Sequence, residues 1–113
     1  MVRRGQASQP ERAATILDAA EQAAERHGDP RWIATTKVER VRHTLRTGGD
    51  LVRALHWLAE AEPLLFPDGD YQARITWLNS AGMVHVELGR TSQSEDFFDR
   101  LIATARDHGD ALS

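Results

Sequence analysis

The chain has 113 residues, of which 41% are hydrophobic and 27% are charged, and it contains no cysteine, so we expect one soluble domain without disulfides, thiolate nucleophiles or cysteine-bound zinc. Its formal net charge of -3 argues against a nucleic acid partner, because phosphate backbones need a basic surface. No apolar run approaches the roughly 18 residues of a membrane span, and the first residues lack the apolar middle of a signal peptide, so we expect a cytoplasmic protein without a membrane segment.

Apolar residues recur three or four positions apart along the whole chain, which is typical of amphipathic helices and not of strands. We therefore predict an all-α domain over residues 9–110, between a flexible segment over 1–8 and a short tail over 111–113. The predicted helices lie at about 9–27, 30–47, 51–62, 71–88 and 92–108.

Three helix starts have a capping signature. Ser8 with Glu11, and Ser92 with Glu95, have the spacing of a capping box, in which each side chain pairs with a free amide of the first turn. Asp29, which precedes a proline, is a further start, because proline is tolerated at the first helical position.

Pro63 conflicts with the helical pattern, because an interior proline loses a hydrogen bond at a cost of about 3 kcal/mol. We predict that the third helix ends near Glu62, and that Leu64, Leu65 and Phe66 lie under neighbouring helices.

A Gly-Asp step has its glycine at Gly28, Gly49, Gly69 and Gly109, and Gly89 fills the one gap, so that a glycine stands about every twenty residues. We predict that these glycines end helices in the left-handed conformation and that each aspartate of a Gly-Asp step caps the next helix. At Gly109 no helix follows, which indicates a chain that stops within a repeat and predicts that it is part of a longer protein or self-associates through its ends.

The side chains repeat with a period of 40 or 41 residues, so that helices one, three and five are equivalent. Such a period indicates stacked helical hairpins. The matching sets are Ala13, Ile16, Leu17, Ala20 and Ala24; Ala54, Trp57, Leu58, Ala61 and Leu65; and Ser94, Phe97, Phe98, Leu101 and Ala105.

The last unit resembles the tetratricopeptide repeat family through Leu78, Ala81, Gly82, His85, Gly89, Ser94, Phe98 and Leu101. The preceding unit is similar over Val38, Val41, Leu45, Gly49, Ala54, Leu58 and Ala61, but Arg42 stands at the Gly82 position. We expect close helix approach at Gly82 and looser packing at Arg42. The resemblance implies a right-handed superhelix of antiparallel hairpins; the alternative is a generic antiparallel bundle.

Catalytic and metal-binding patterns are missing from the sequence. The five histidines never adopt the HExxH spacing of a zinc protease, and we predict capping roles for His27 and His108. Paired acids such as Glu60 and Glu62 are interpreted as surface charge. We predict a non-catalytic protein without cofactor or metal.

In the resembling family the opening helices line a concave groove that reads a peptide or a partner helix. Carried over by position, the candidate partner-binding residues are Thr36, Glu39, Arg40, His43, Thr76, Asn79, Ser80, Met83 and Glu87. The family's clamp for a terminal carboxylate is not supported by these residues. Trp57 is interpreted as a packing residue, since its register matches Ile16 and Phe97.

We therefore expect a module that binds a protein or peptide, as the interaction or sensory part of a bacterial regulatory protein. One alternative is a homo-oligomerisation scaffold that uses apolar surface on the end helices. Another is an enzyme with an unrecognised site, because fold does not fix function.

Overall fold

The computed structural model describes residues 9–112, and the side chains of residues 11–109. The predicted all-α class is confirmed: the described residues form five helices and no strand. The predicted flexible segment, and with it Ser8, lies outside them. The helices are α1 (Gln9–His27), α2 (Pro30–Thr47), α3 (Leu51–Leu65), α4 (Tyr71–Glu87) and α5 (Thr91–Leu112). None of them is long and apolar enough to cross a membrane.

The helices pack in two layers. Each helix contacts the next one along the chain, and α2 also contacts α4, whereas the backbones of α1, α3 and α5 stay more than 8 Å apart, Cα to Cα, within residues 9–112. The even helices therefore form an inner layer, and the odd helices lie on its outside. This division follows the alternation that the forty-residue period predicts.

An inner helix is covered on more sides than an outer one. In α4 the buried positions cover a wide face of the helix and include Trp77, Leu78 and Val84, because α2, α3 and α5 all pack against it. In α1 the only buried position among the described side chains is Ala24. The core consequently centres on α2, α3 and α4.

Aspartate caps three helices, as predicted. Asp29 accepts from the Arg31 amide at 3.0 Å, and Asp50 accepts from the Val52 amide at 3.0 Å. The Asp70 carboxylate accepts from the Ala73 amide at 3.0 Å. Each bond satisfies an amide that the first turn leaves without a helical partner.

The glycine prediction holds for part of the series. Left-handed glycines stand at Gly28, Gly48 and Gly89, so the second helix ends one residue before the expected Gly49. Gly69 has no positive φ; instead it lies against the end of α3, where a Cβ would come 2.3 Å from the Leu65 carbonyl oxygen. Gly109 lies inside α5, so the predicted helix end at this position is wrong.

Two further helix boundaries differ from the prediction. Pro63 lies inside α3, which continues to Leu65. The missing hydrogen bond falls in the last turn, where burial of Leu65 to 1% exposure favours continuation. Phe66 is partly buried as expected, but Leu64 is 36% exposed. At α5 the Ser94 amide donates to the Arg90 carbonyl at 3.0 Å, which starts the helix at Thr91 and rules out the capping box predicted at Ser92.

The close helix approach at Gly82 is confirmed. A Cβ at this position would lie 2.6 Å from Cζ of Phe98, so only glycine lets the aromatic ring of α5 rest on the α4 backbone. The looser packing expected at Arg42 is wrong, because α2 packs against α3 as extensively as α4 packs against α5. Arg42 is half exposed and turns to Glu39 at 2.9 Å.

Gly82→Ala is expected to lower the free energy of unfolding by up to about 2 kcal/mol, because overpacking costs about 1 to 3 kcal/mol and the gain in helix propensity offsets only about 1 kcal/mol. Chemical denaturation followed by circular dichroism measures this change. Gly109→Ala is the matched control, since a Cβ there meets nothing within 4 Å, and it should be stabilising. In a Phe98→Leu background the Gly82→Ala penalty should disappear; a penalty that persists there would contradict the packing explanation.

Candidate interaction surfaces

A cleft of about 220 Å³ lies between the inner helices. At one end Arg31 of α2 pairs with the capping Asp70 at 3.3 Å. The cleft is lined by Arg31, Thr35, Val38, Glu39, Asp70, Gln72, Ala73 and Thr76. It combines hydroxyl and amide groups, both signs of charge and an apolar floor.

The cleft continues as a strip along α4. Gln72 and Thr76 line the cleft, and Asn79 and Met83 follow at the three- and four-residue spacing that keeps side chains on one helix face. Asn79 and Glu87 are exposed, and Met83 is 39% exposed. We call the cleft together with Asn79, Met83 and Glu87 the α2–α4 surface.

Five of the nine predicted groove residues lie on this surface, namely Glu39, Thr76, Asn79, Met83 and Glu87. Thr36 and Ser80 do not: they are 5% and 1% exposed, so neither is available to a partner. The Thr36 hydroxyl donates to the Ile33 carbonyl at 2.8 Å. The Ser80 oxygen has no hydrogen-bond partner among the described residues.

The remaining two, Arg40 and His43, lie on the other side of α2. There they line a second cleft of about 260 Å³ between α1 and α3, which we call the outer cleft. Trp57 and Leu17 also line it. The structure therefore does not bring the nine predicted residues together, because positions 40 and 43 turn away from α4.

Beside the outer cleft lies an ionic cluster centred on the buried Lys37, whose side chain is 7% exposed. Its Nζ atom donates to Glu21 of α1 at 2.9 Å. Two more carboxylates stand at 3.7 Å, one from Glu25 of α1 and one from Glu60 of α3. Lys37 thus ties the two outer helices to α2.

Arg40 extends the same cluster. Its guanidinium donates to Asp18 at 3.0 Å and to Glu21 at 2.6 Å, both on α1. It also lies 4.7 Å from the centre of the Trp57 ring, a distance at which a cation is attracted to an aromatic face. Trp57 is partly buried, in agreement with its interpretation as a packing residue.

The ionic cluster determines the protonation of Lys37. Burial by itself lowers the pKa of Lys37, but its hydrogen bond to Glu21 and the charges of Glu21, Glu60 and Glu25 outweigh it, so the pKa lies above the ordinary value of 10.5. Because the folded state holds this proton more tightly, the stabilisation is complete below pH 10.5 and is lost only at higher pH.

One repeat later, the corresponding position holds Trp77 in an aromatic cluster. Its Nε1 donates to the Leu58 carbonyl of α3 at 2.9 Å. Its ring meets those of Phe66 and Phe97 edge to face, at centroid distances of 5.2 and 5.6 Å. The same place in the fold is therefore ionic between α1 and α3 and aromatic between α3 and α5.

His85 borders the aromatic cluster. It is 8% exposed, stacks on Phe97 at 5.1 Å, and its Nδ1 atom has no hydrogen-bond partner in the described part of the chain. Burial, and then the charge of Arg90, lower its pKa below the ordinary value of 6.5. Glu62 and Arg100 line the same small cleft.

His85→Leu is expected to remove an acid-sensitive contribution to stability. The unfolded chain gains a proton on this residue as the pH falls below 6.5, whereas the folded chain resists it, so stability present above that pH is lost below it. Thermal unfolding between pH 5 and pH 8 should show a flatter profile for His85→Leu, and a gain of about 1 kcal/mol at pH 7 from removing an unpaired polar atom. The exposed His27→Leu serves as control; an unchanged slope in His85→Leu would contradict the assignment.

The other histidines have varied surroundings. His27 lies in the last turn of α1, as predicted, and packs edge to face on Trp32 at 5.6 Å. His108 stacks on Tyr71 at 3.6 Å, and α5 continues beyond it, so its predicted place in a last turn is wrong. No cluster of three or more residues suited to a metal occurs among the described residues.

Exposed apolar side chains occur at both ends of the stack. Ile16 of α1 is 66% exposed, although its register with Phe97 predicts a packing position. On the last hairpin Val86 and Ile102 are 49% and 53% exposed. For Ile16 and Ile102 the reason is that the backbones of α1 and α5 each lie close to a single helix within the described range.

Sequence reasoning missed Thr35, Gln72 and Lys37. The first two line the α2–α4 cleft, one position away from the predicted Thr36 on α2 and one turn before Thr76 on α4. If the helical phase of α2 had been set by the buried residues Ala34, Val38 and Val41, Thr35 would have been predicted as a groove residue in place of Thr36. No sequence signal marks Lys37, because its carboxylate partners come from two other helices.

Comparison with known proteins identifies no relative: no family model, no curated protein and no solved structure matches the chain.

Proposed function

We propose that the chain is a TPR-like, non-catalytic module that binds a segment of a partner protein on the α2–α4 surface, as part of a bacterial regulatory protein. The observation that carries the proposal is the cleft between the inner helices, which continues along α4 as an exposed strip. Because two helices form this surface, it is long enough for a peptide segment of several residues and not only for a single side chain.

The side chains of the surface are suited to peptide recognition. Gln72 and Asn79 present amide groups, which donate and accept at once and so match the backbone of an extended chain. Met83 is flexible and polarisable, which favours contact with varied apolar side chains. Glu39 adds a charge to one wall of the cleft.

Among the described residues, the groups with displaced pKa values are Lys37 and His85, which lie in the ionic and aromatic clusters and outside the α2–α4 surface. Catalytic acids and bases are commonly found where such a shift and a cleft coincide, so this distribution supports binding over catalysis for the α2–α4 surface.

Asn79→Ala combined with Met83→Ala is expected to weaken binding of peptides selected on the wild-type chain from a displayed library by at least about tenfold, the loss typical of a contact residue at the centre of an interface. Fluorescence anisotropy measures the affinity. The control is Val52→Ala with Gln93→Ala, two exposed positions on the outer helices, which should bind as the wild type does. Equal binding by both double variants, with unchanged circular dichroism, would overturn the assignment.

A second candidate function is homo-oligomerisation through the last hairpin. The half-exposed Val86 and Ile102 lie on the two helices at that end of the stack, where a neighbouring copy would bury them. Large exposed apolar patches commonly mark protein interfaces.

Ile102→Asn is expected to convert any oligomer to a monomer, because a buried amide without partners costs about 1 to 3 kcal/mol at an interface. Size-exclusion chromatography with light scattering measures the mass. Arg106→Asn, an exposed position one turn further along α5, is the control. A wild-type chain that is monomeric at every concentration would exclude this candidate and leave the binding proposal untouched.

A further inference from the structure

The first helix is attached to the rest of the molecule on one side only. Within the described residues the backbone of α1 comes close to that of α2 and of no other helix. Among its described side chains only the small Ala24 is buried, Leu17 is partly buried, and the large apolar Ile16 is 66% exposed. Helices with little apolar burial are the first to detach in local unfolding.

Charge provides much of the remaining contact. Asp18, Glu21 and Glu25 of α1 all pair with Lys37 or Arg40 of α2, at distances of 2.6 to 3.7 Å. Ion pairs of this kind add little stability relative to apolar contacts, because desolvation of the charges offsets their attraction. A helix seated here without carboxylates would, however, bury Lys37 and Arg40 without their acidic partners on α1, which is strongly destabilising.

Both cations keep a partner on α3 when α1 leaves. Lys37 retains Glu60 at 3.7 Å, and Arg40 retains the face of Trp57 at 4.7 Å. Removal of α1 therefore leaves neither charge without compensation, and the packing of α2 on α3 and α4 does not involve α1. The rest of the fold is equipped to persist without its first helix.

The fit of α1 is also incomplete. The outer cleft of about 260 Å³ remains open between Ala14 and Leu17 on one side and Trp57 and Arg53 on the other. A helix with a larger apolar side chain at the position of Ala14 would fill this space and gain contact with the Trp57 ring.

We infer that α1 is a displaceable cover, and that the surface beneath it, formed by Lys37, Arg40 and Trp57, accepts an acidic amphipathic helix from a partner protein. Charge complementarity defines this partner: it carries carboxylates at the spacing of Asp18, Glu21 and Glu25, and a large apolar residue one turn before the first of them. The site lies on the opposite side of α2 from the α2–α4 surface, so the inference is independent of the proposed function.

A labelled peptide of residues 9–27 with Ala14→Leu serves as the acidic helix, and its anisotropy is followed while full-length chain is added. Asp18→Asn with Glu21→Gln in the chain loosens its own α1 and should raise peptide affinity by about tenfold or more over the wild-type chain. A peptide with Asp18→Asn, Glu21→Gln and Glu25→Gln should bind the loosened chain at least about tenfold more weakly. A chain with Asp96→Asn and Asp99→Asn carries the same charge change on exposed positions of α5 and should behave as the wild type.

Hydrogen exchange separates displacement from loss of folding. In the loosened chain the α1 amides should exchange faster while those of α4 remain protected. Peptide binding that is absent, or equal for all chains and peptides, would overturn the inference, as would α1 amides that exchange only together with those of α4. If light scattering shows that the loosened chain forms dimers and that the peptide dissociates them, the surface beneath α1 binds a second copy of the chain. That result would overturn the assignment of this surface to a partner protein.

Discussion

The contact between α2 and α4 is the constraint on which the rest of the structure depends. It joins the two hairpins on their inner side, so each inner helix must also be covered from outside by the odd helices. For α4 this cover comes from α3 and α5, and Phe98 of α5 rests on Gly82. For α2 the outer cover consists of α3 and α1.

An inner-helix side chain lies between two outer helices at two places, Lys37 between α1 and α3 and Trp77 between α3 and α5. These two junctions have different chemistry. Trp77 fills its junction with an aromatic ring and one hydrogen bond to α3, so its stability comes mainly from burial. Lys37 fills the equivalent place with a charge that carboxylates of two helices must neutralise. Removal of a helix from the aromatic junction exposes apolar surface. Removal of α1 from the ionic junction leaves Glu60 of α3 beside the charge of Lys37.

Under the proposals made above, this asymmetry gives the two sides of α2 different roles. The side that faces α4 packs through the core residues Val38 and Leu78 and presents a cleft between packed helices, and a preformed cleft lowers the cost of binding a protein segment. The side that faces α1 is closed by a helix whose only buried position among the described side chains is Ala24.

The sequence by itself determined the number of helices, most of their boundaries and their alternation, because apolar spacing, aspartate caps and the forty-residue period are local or repetitive signals. It also determined the need for glycine at Gly82. Only the tertiary structure decided that α3 runs through Pro63, because the gain from burying Leu65 depends on its neighbours. The tertiary structure likewise separated Glu39 and Thr76 from Arg40 and His43, since the direction of a side chain depends on which helices surround it. The role of Lys37 likewise depends on the tertiary structure, because the carboxylates that pair with it are distant along the chain and adjacent in the fold.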